Sequence, residues 1–421
     1  MRSGNEHILA VGDEGEGFLR TIWEVAGTTA ISLLTAVSRL DRHTALREFE
    51  MAFGVGDNAP LSQWADAAAA VHRVRPVTRV IAMYDQFLVI AAHVAQALGI
   101  EGPDSEIVRV THHKAAYRAW LDEAGVQPFP SKPVACATEV VRFADKHGWP
   151  VVVKPAYGTG GSGITVVTSA DATEAAFDHA RCADAEVLVE TYQDGPTYDV
   201  QTFSENGEHL VIAIAREYNY RTHPVIRGIA LPAVLDPADR KAIEDHVAAV
   251  LTSLGHRDGP TDCDLVLTPS GPVVIETHLR MGGDRITDLV RDALGVDIKR
   301  AYAAQLLGKR VLPRLRTRLE QAQDSRKASA MWFASPGVDG TLVEVHGLDT
   351  LSEHPQVDDF QLRVHPGDRV TPVSRAAHRV LAFKVDDTDA EAAVRTAEQL
   401  AGRIRFVVAV APHQSGGTSP K

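Results

Sequence analysis

The segment Thr261-Asp-Cys-Asp-Leu-Val-Leu267, followed after a short polar break by Val273-Val-Ile-Glu-Thr-His-Leu-Arg280, constrains the fold more than any other stretch. Its period-two alternation is that of paired strands, not of a helix. The alternation puts Asp262 and Asp264 on one face of the first strand, and Glu276, His278 and Arg280 on one face of the second. With Thr268–Pro272 as the loop, the hairpin register sets Asp262 opposite His278 and Asp264 opposite Glu276. Three carboxylates then share a sheet face within roughly 5–8 Å of one another, which is repulsive unless cations sit among them.

Magnesium is the natural occupant of such a face, because it takes one or two carboxylates and completes its shell with water and phosphate oxygens. The plainer alternative is a solvated face whose acids pair with Arg280 and nearby lysines. Arg280 introduces Met281-Gly282-Gly283-Asp284, a glycine pair that lets backbone approach a ligand closely. A guanidinium fixed there suits bidentate binding of a carboxylate or phosphoryl group.

A second hairpin is expected where the apolar strand Val151–Lys154 runs into Gly158-Thr-Gly-Gly-Ser-Gly163 and then the β-branched Ile164–Thr168. The glycines match GxGxxG, but the residues after them read as strand, so this is not the strand-to-helix loop of a dinucleotide fold. No Lys-Ser or Lys-Thr comes after the glycines, so it is not a Walker loop either. The context suits a flap whose backbone N–H groups at Gly160, Gly161 and Gly163 close over phosphates, with Ser162 and Thr159 adding hydroxyls. Taken alone, the loop reads equally well as a mobile surface hairpin. Lys154 ends a wholly apolar strand, where a charge is costly unless it meets an anion or snorkels to water. With Thr111 as the expected N-cap, Lys114 falls in the first turn of its helix, a position disfavoured for a cation unless a phosphate is nearby.

A chain of 421 residues with 45% hydrophobic and 23% charged residues is an ordinary globular composition, long enough for several domains. Its formal charge of −12, without a long basic run, argues against a nucleic-acid partner. Cys136, Cys182 and Cys263 lack CxxC spacing, which fits a reduced cytoplasm. The N-terminus has no apolar signal core, and the most apolar stretch, Val80–Ile100, is interrupted by Asp85, Gln86 and His93, which disfavours a membrane span. Strands at Ile8–Val11, Ala30–Val37 and Val80–Met83, separated by helical stretches and with a glycine turn at Gly12–Gly17, predict an N-terminal parallel α/β domain. A helix from Thr111 to Ala124 and another over Thr138–His147 are expected. Past the Arg- and Gln-rich stretch Arg314–Arg326, strands around Ser329–Ala334 and Arg379–Val385 and a helix over Asp389–Ile404 are expected, then a frayed tail from His413.

Taken together, the sequence resembles the ATP-grasp superfamily from about Pro103 to Leu307. The likeness rests on the Lys114 helix ending in Ala-Gly-Val-Gln-Pro128, on Val-Val-Val-Lys154-Pro-Ala-Tyr-Gly-Thr-Gly-Gly-Ser-Gly163, on Val187-Leu-Val-Glu190-Thr-Tyr192-Gln-Asp-Gly195, and on Glu276-Thr-His-Leu-Arg280-Met-Gly-Gly283. The resemblance implies a three-domain α/β and α+β architecture: an N-terminal parallel α/β domain over residues 1–105, an ATP-grasp clamp over 106–310 with a lid subdomain at 125–187, and a small C-terminal domain over 311–412, before the tail at 413–421. It further implies that Lys114 and Lys154 contact ATP, that Glu190, Thr191 and Tyr192 form the adenine linker, and that Asp262 and Glu276 hold Mg2+. Arg280 would stabilise a phosphorylated intermediate.

Within the superfamily, the Arg-x-Gly-Gly ending and the segment around Pro366-Gly367 resemble the amino-acid ligases that form dipeptides. Some positions depart from the pattern. His278 stands where Asn is common, and remains a possible metal ligand. Thr197 stands where many members place a ribose-binding Glu, shifting that role to Asp199. Ile226-Arg-Gly-Ile-Ala-Leu-Pro232 offers Arg227 where relatives carry Glu and His, and Asp284 replaces a bulky gate. Asp85, Arg227, Arg280, Gly283 and Asp284 are the substrate-binding candidates.

The function implied is an ATP-dependent carboxylate-amine ligase working through an acyl phosphate, with ATP and Mg2+, on small carboxylate and amine substrates. Lys154 and Arg280 are its catalytic candidates; a homodimer is the family-level expectation. Two further readings stay open: a carboxylase or formyl-transfer enzyme of nucleotide metabolism, and a nucleotide-binding protein that no longer catalyses.

Overall fold

The computed structural model of the chain describes residues 6–410 apart from 13–14, 28, 41–42, 44–45, 159, 182–185, 221–224 and 323–326. The expected tail, Thr159, Cys182 and parts of the Gly12–Gly17 and Arg314–Arg326 stretches lie outside the described residues. The chain divides into two compact units, Met1–Ser131 with Gln193–Ile214 and Leu235–Asp324, and Lys132–Tyr192 with Ala215–Val234 and Ser325–Lys421. No helix among the described residues is long and apolar enough to cross a membrane.

In the first unit, His7–Val11 and Ala30–Ala36 are buried along their whole length, as strands covered on both faces must be. They form a parallel sheet in the order Ala52–Val55, Ala30–Ala36, His7–Val11, Arg79–Ile81. Sequence reading finds three of these strands and misses Ala52–Val55, a short edge strand whose first three residues are exposed. Helices Leu61–Val74 and Asp85–Leu98 bury Trp64, Ala68, Val71, Phe87, Leu88 and Ala91 in a core with Leu9 and Val11. Gly12, at φ +105°, ends the first strand where any Cβ would sit 2.3 Å from the Phe87 ring.

The single helix expected from Thr111 is two helices, Ser105–His112 and Lys114–Glu123. Asp104 caps the first by accepting from the Glu106 and Ile107 amides, and Thr111 lies inside it, its hydroxyl donating to the Ile107 carbonyl. His113, not Thr111, caps the second: its Nδ1 accepts from the Ala116 amide, which makes Lys114 the first helical residue.

Beside these helices, Thr197–Glu205, Gly259–Thr268 and Gly271–His278 pair antiparallel. Asp262 lies opposite His278 and Asp264 opposite Glu276, as the sequence predicts, although not through the expected loop. Thr268 pairs with Gly271, leaving only Pro269 and Ser270 in the turn, and a bulge at Ile275 restores the register beyond it. The strand ends at His278, so Arg280 sits in a bend.

His256, buried in this unit with its ring 6.4 Å from that of His209, is held down to about 4, chiefly by burial and then by His209. The unfolded chain, at its ordinary 6.5, therefore binds this proton first. Stability from the neutral ring is present above pH 6.5 and is lost as pH falls toward about 4. Unfolding midpoints measured across that window should slope downward with acid, and His256→Asn should flatten the slope; an unchanged slope contradicts the assignment.

In the second unit, Val151–Pro155 runs between Thr165–Val167 and Val187–Thr191, and Ser131–Val134 borders the latter. The expected glycine-loop hairpin is present, with its return strand shortened to Thr165–Val167. Helices Ala137–His147 and Thr173–Ala180 bury Val140, Phe143 and Phe177 against Val151, Val153 and Val189. A further antiparallel set orders Ile226–Leu231, Ala328–Ala334, Leu381–Asp387 and Val357–Leu362, with helix Ala390–Ala401 covering Trp332, Phe383 and Val385. Gly340–His346 lies between Arg369–Val370 and Arg405–Ala409 in a small sheet.

Candidate functional site

Two cross-strand rows build the site in the first unit: Asp199, Asp264 and Glu276 in one, Gln201, Asp262 and His278 in the next. Residues directly opposite in a sheet share a face, so this stacking concentrates negative charge on one surface. The fold answers with cations. Lys114, reaching from its helix N-terminus, pairs with Glu276 Oε1 at 3.0 Å. His278 Nε2 lies 3.5 Å from Glu276 Oε2, and its Nδ1 3.1 Å from Asp85 Oδ1.

Arg280 is clamped from two sides. Its Nε and Nη2 donate to Asp85 Oδ2 at 3.1 and 2.7 Å, and its Nη1 donates to Asp262 Oδ2 at 2.7 Å and to the Met281 carbonyl at 2.9 Å. Asp85 opens the helix Asp85–Leu98, where the helix dipole also favours an anion.

These contacts set the protonation states. Burial and Arg280 push the His278 imidazole down, but its hydrogen bonds to Asp85 and Glu276 outweigh them and hold it up at about 10. Burial works to raise Asp85, yet His278 and Arg280 keep its carboxyl well below the usual range. Asp264 is pushed up to about 7 by burial and then by the neighbouring Asp262. Cys263, between the two aspartates, is buried against Thr277, 3.4 Å from its hydroxyl, and burial drives the thiol far from ionisation. It is no nucleophile.

The ligand atoms of Asp264, Glu276 and His278 all lie within 4.8 Å of one another. Sequence reasoning chose Asp262 with Glu276 and His278; the structure brings Asp264 to that group, while both Asp262 oxygens are taken by Arg280 and Gln201. The signal for Asp264 was its register opposite Glu276. Two carboxylates suit a hard divalent cation, and the His278 ring beside them offers a third ligand atom.

The Arg280–Asp284 segment turns sharply. Asp284 and Arg285 are left-handed at φ +50° and +64°, a costly conformation for non-glycine residues that marks a tightly determined site. The Gly282 amide donates to Gln201 Oε1 at 3.0 Å. A Cβ there would stand 2.3 Å from Ile286 Cγ2 and 2.4 Å from Gln201 Nε2. Gly282→Ala is expected to cost about 1–3 kcal/mol of stability through overpacking, read by denaturant unfolding. A variant as stable as the parent contradicts this packing. Gly283 is exposed beside it, and Asp199, predicted as a ribose contact, accepts from Gln201 Nε2 at 2.6 Å.

In the second unit, Lys154 and Glu190 form a buried ion pair with 2% and 3% of their surfaces exposed. Glu190 lies opposite Val152, so the two charges sit diagonally on one face of adjacent strands. Thr191 ends that strand, and Tyr192 is 39% exposed. The glycine loop has left-handed φ of +68°, +78° and +74° at Gly160, Gly161 and Gly163, with Ser162 exposed between them. Such a turn aims successive backbone amides at an anion. Arg227 is engaged elsewhere in this unit, donating to Glu398 at 2.5 Å with its guanidinium 5.1 Å over the Trp332 ring.

Comparison with known proteins matches residues 113–310 to the carbamoyl-phosphate synthase L chain ATP binding domain and residues 332–409 to the L-amino acid ligase C-terminal domain 2. The chain is 31% identical over 338 residues to the uncharacterized protein y4rH of Sinorhizobium fredii, covering 79% of this chain and 63% of that protein. It is 21% identical over 257 residues to the L-arginine-specific L-amino acid ligase of Bacillus subtilis, covering 58% of this chain and 61% of that enzyme. It therefore spans less than two thirds of either relative's length. The crystal structure of an L-amino acid ligase from Bacillus licheniformis superposes with a TM-score of 0.81 at 19% identity, covering 97% of this chain and 100% of that one.

Proposed function

We propose that the chain, whose residues 113–310 and 332–409 match an ATP binding domain and an L-amino acid ligase C-terminal domain, is an ATP-grasp enzyme of the L-amino acid ligase type that joins the carboxylate of one amino acid or related acid to the amine of another, consuming ATP. The observation that carries this reading is the acidic face of Asp264 and Glu276 beside an arginine fixed by Asp85 and Asp262 at the Gly282–Gly283 turn. Asp264 and Glu276 would hold Mg2+ with ATP, which would supply the phosphoryl group that activates the acid. Arg280 holds the oxyanion that develops when the amine attacks, already oriented before substrate arrives. In the first unit Lys114 offsets phosphate charge; in the second, Lys154 and the amides of Gly160, Gly161 and Gly163 with the Ser162 hydroxyl form a set of donors suited to phosphate. In the second unit Glu190, Thr191 and Tyr192 are the adenine candidates; in the first, Asp199 is the ribose candidate and Asp284 the substrate-selecting one.

Product analysis tests this. Protein incubated with ATP, Mg2+ and pairs of amino acids should yield a species lighter than the summed pair by one water, together with ADP. Amide absent from every pair, with ATP consumed when bicarbonate or formate is added, would favour the carboxylating or formyl-transfer reading instead. The match of residues 113–310 to a carbamoyl-phosphate synthase domain makes that the relevant second arm.

A further inference from the structure

Gln201 is the one uncharged side chain in the two rows, and it is 1% exposed. Its Nε2 donates to Asp199 Oδ1 at 2.6 Å and to Asp262 Oδ1 at 2.8 Å, while its Oε1 accepts from the Gly282 amide at 3.0 Å. Both ends of the amide are thus committed, and they are committed to different parts of the site. Asp262 is the carboxylate that holds Arg280 Nη1. Gly282 opens the turn that carries Gly283 and Asp284, and the absence of a side chain there is what admits Gln201 so closely.

We propose that Gln201 is a positioning residue for the amine-transfer step, fixing the Arg280 guanidinium through Asp262 and the Gly282–Gly283 backbone through its carbonyl, so that oxyanion support and the substrate-facing turn are set by one side chain. The proposal rests on the ligase reading. Only a neutral amide performs both tasks. A carboxylate in its place offers no donor to Asp199 or Asp262 and adds a like charge between them, while an aliphatic chain of similar length leaves Asp262 held by Arg280 alone and the Gly282 N–H without its acceptor. Gln201 touches neither the groups proposed to hold ATP phosphates nor Glu276, and its one link to the nucleotide is through Asp199, the proposed ribose contact, so its loss falls more heavily on the reacting centre than on nucleotide affinity.

Two variants and two readouts test it. For Gln201→Met, kcat for amide formation should fall by about 10²-fold while the KM for ATP rises by less than about tenfold through the loosened Asp199, the unequal split expected when the interaction lost is made chiefly in the transition state. Gln201→Glu should lose more, because of the added charge. Hydrogen exchange gives the second readout without any turnover: in Gln201→Met the Gly282 amide should exchange at least tenfold faster, while the amides paired within Gly259–Thr268 keep their protection. A kcat within twofold of the parent, equal losses in kcat and ATP affinity, or an unchanged Gly282 exchange rate would each overturn the proposal. If the parent protein makes no amide with any substrate, the ligase reading fails, and the exchange measurement still decides whether Gln201 holds the turn.

Discussion

Lys154→Met is expected to lower amide-forming activity by at least about 10²-fold and to destabilise the second unit by about 3–5 kcal/mol. Both effects have one cause. Lys154 and Glu190 are buried together, so removing the ammonium leaves a carboxylate in the protein interior without its counter-charge. Replacing both charges, as in Lys154→Met with Glu190→Leu, should recover most of the stability, since buried ion pairs exchanged for well-packed apolar groups are often neutral. It should not recover activity, because the second unit then lacks the lysine proposed to meet phosphate charge. Denaturant unfolding and phosphate release measured on the single and double variants separate the two effects. A single variant as stable as the parent, or an active double variant, contradicts the account.

Arg280→Met should reduce kcat by about 10²–10³-fold and also destabilise the first unit, because Asp85 and Asp262 are then left facing each other without the guanidinium between them. Arg280→Lys tells charge from geometry. An ammonium keeps the positive charge but lacks the planar fork that bridges Asp85 on one edge and Asp262 on the other. It should restore much of the stability and little of the rate. Comparable rate recovery by lysine would show that position, and not bidentate orientation, is what matters at 280.

The parts of this site that could be read in the sequence are those written in strand periodicity. The alternation of Asp262, Asp264, Glu276 and His278 fixes which side chains share a face, and the register among them survives even though its origin differs, a two-residue turn plus a bulge standing in for a longer loop. The apolar run ending in Lys154 likewise announces a charge that must find a partner. What the sequence does not reveal is which charge meets which. Asp262 and Asp264 are equivalent in pattern, and only the return of Arg280 from the bend past His278 commits Asp262 to the arginine and leaves Asp264 to the group with Glu276. Asp85 and Gln201 are long-range partners, the first 195 residues from Arg280 and the second 81 from Gly282, beyond any local pattern. Caps mislead for a related reason. Thr111 has the chemistry of an N-cap, but Asp104 starts a helix about two turns sooner than expected and absorbs it.

Phosphate release, followed with purified protein, ATP and Mg2+ while amino acids are supplied singly and then in pairs, tests the central claim most directly. The account predicts negligible release without an acid, and sustained turnover, stoichiometric with amide, only when a suitable acid and amine are both present. Release at one rate whether or not any amino acid is added would contradict it.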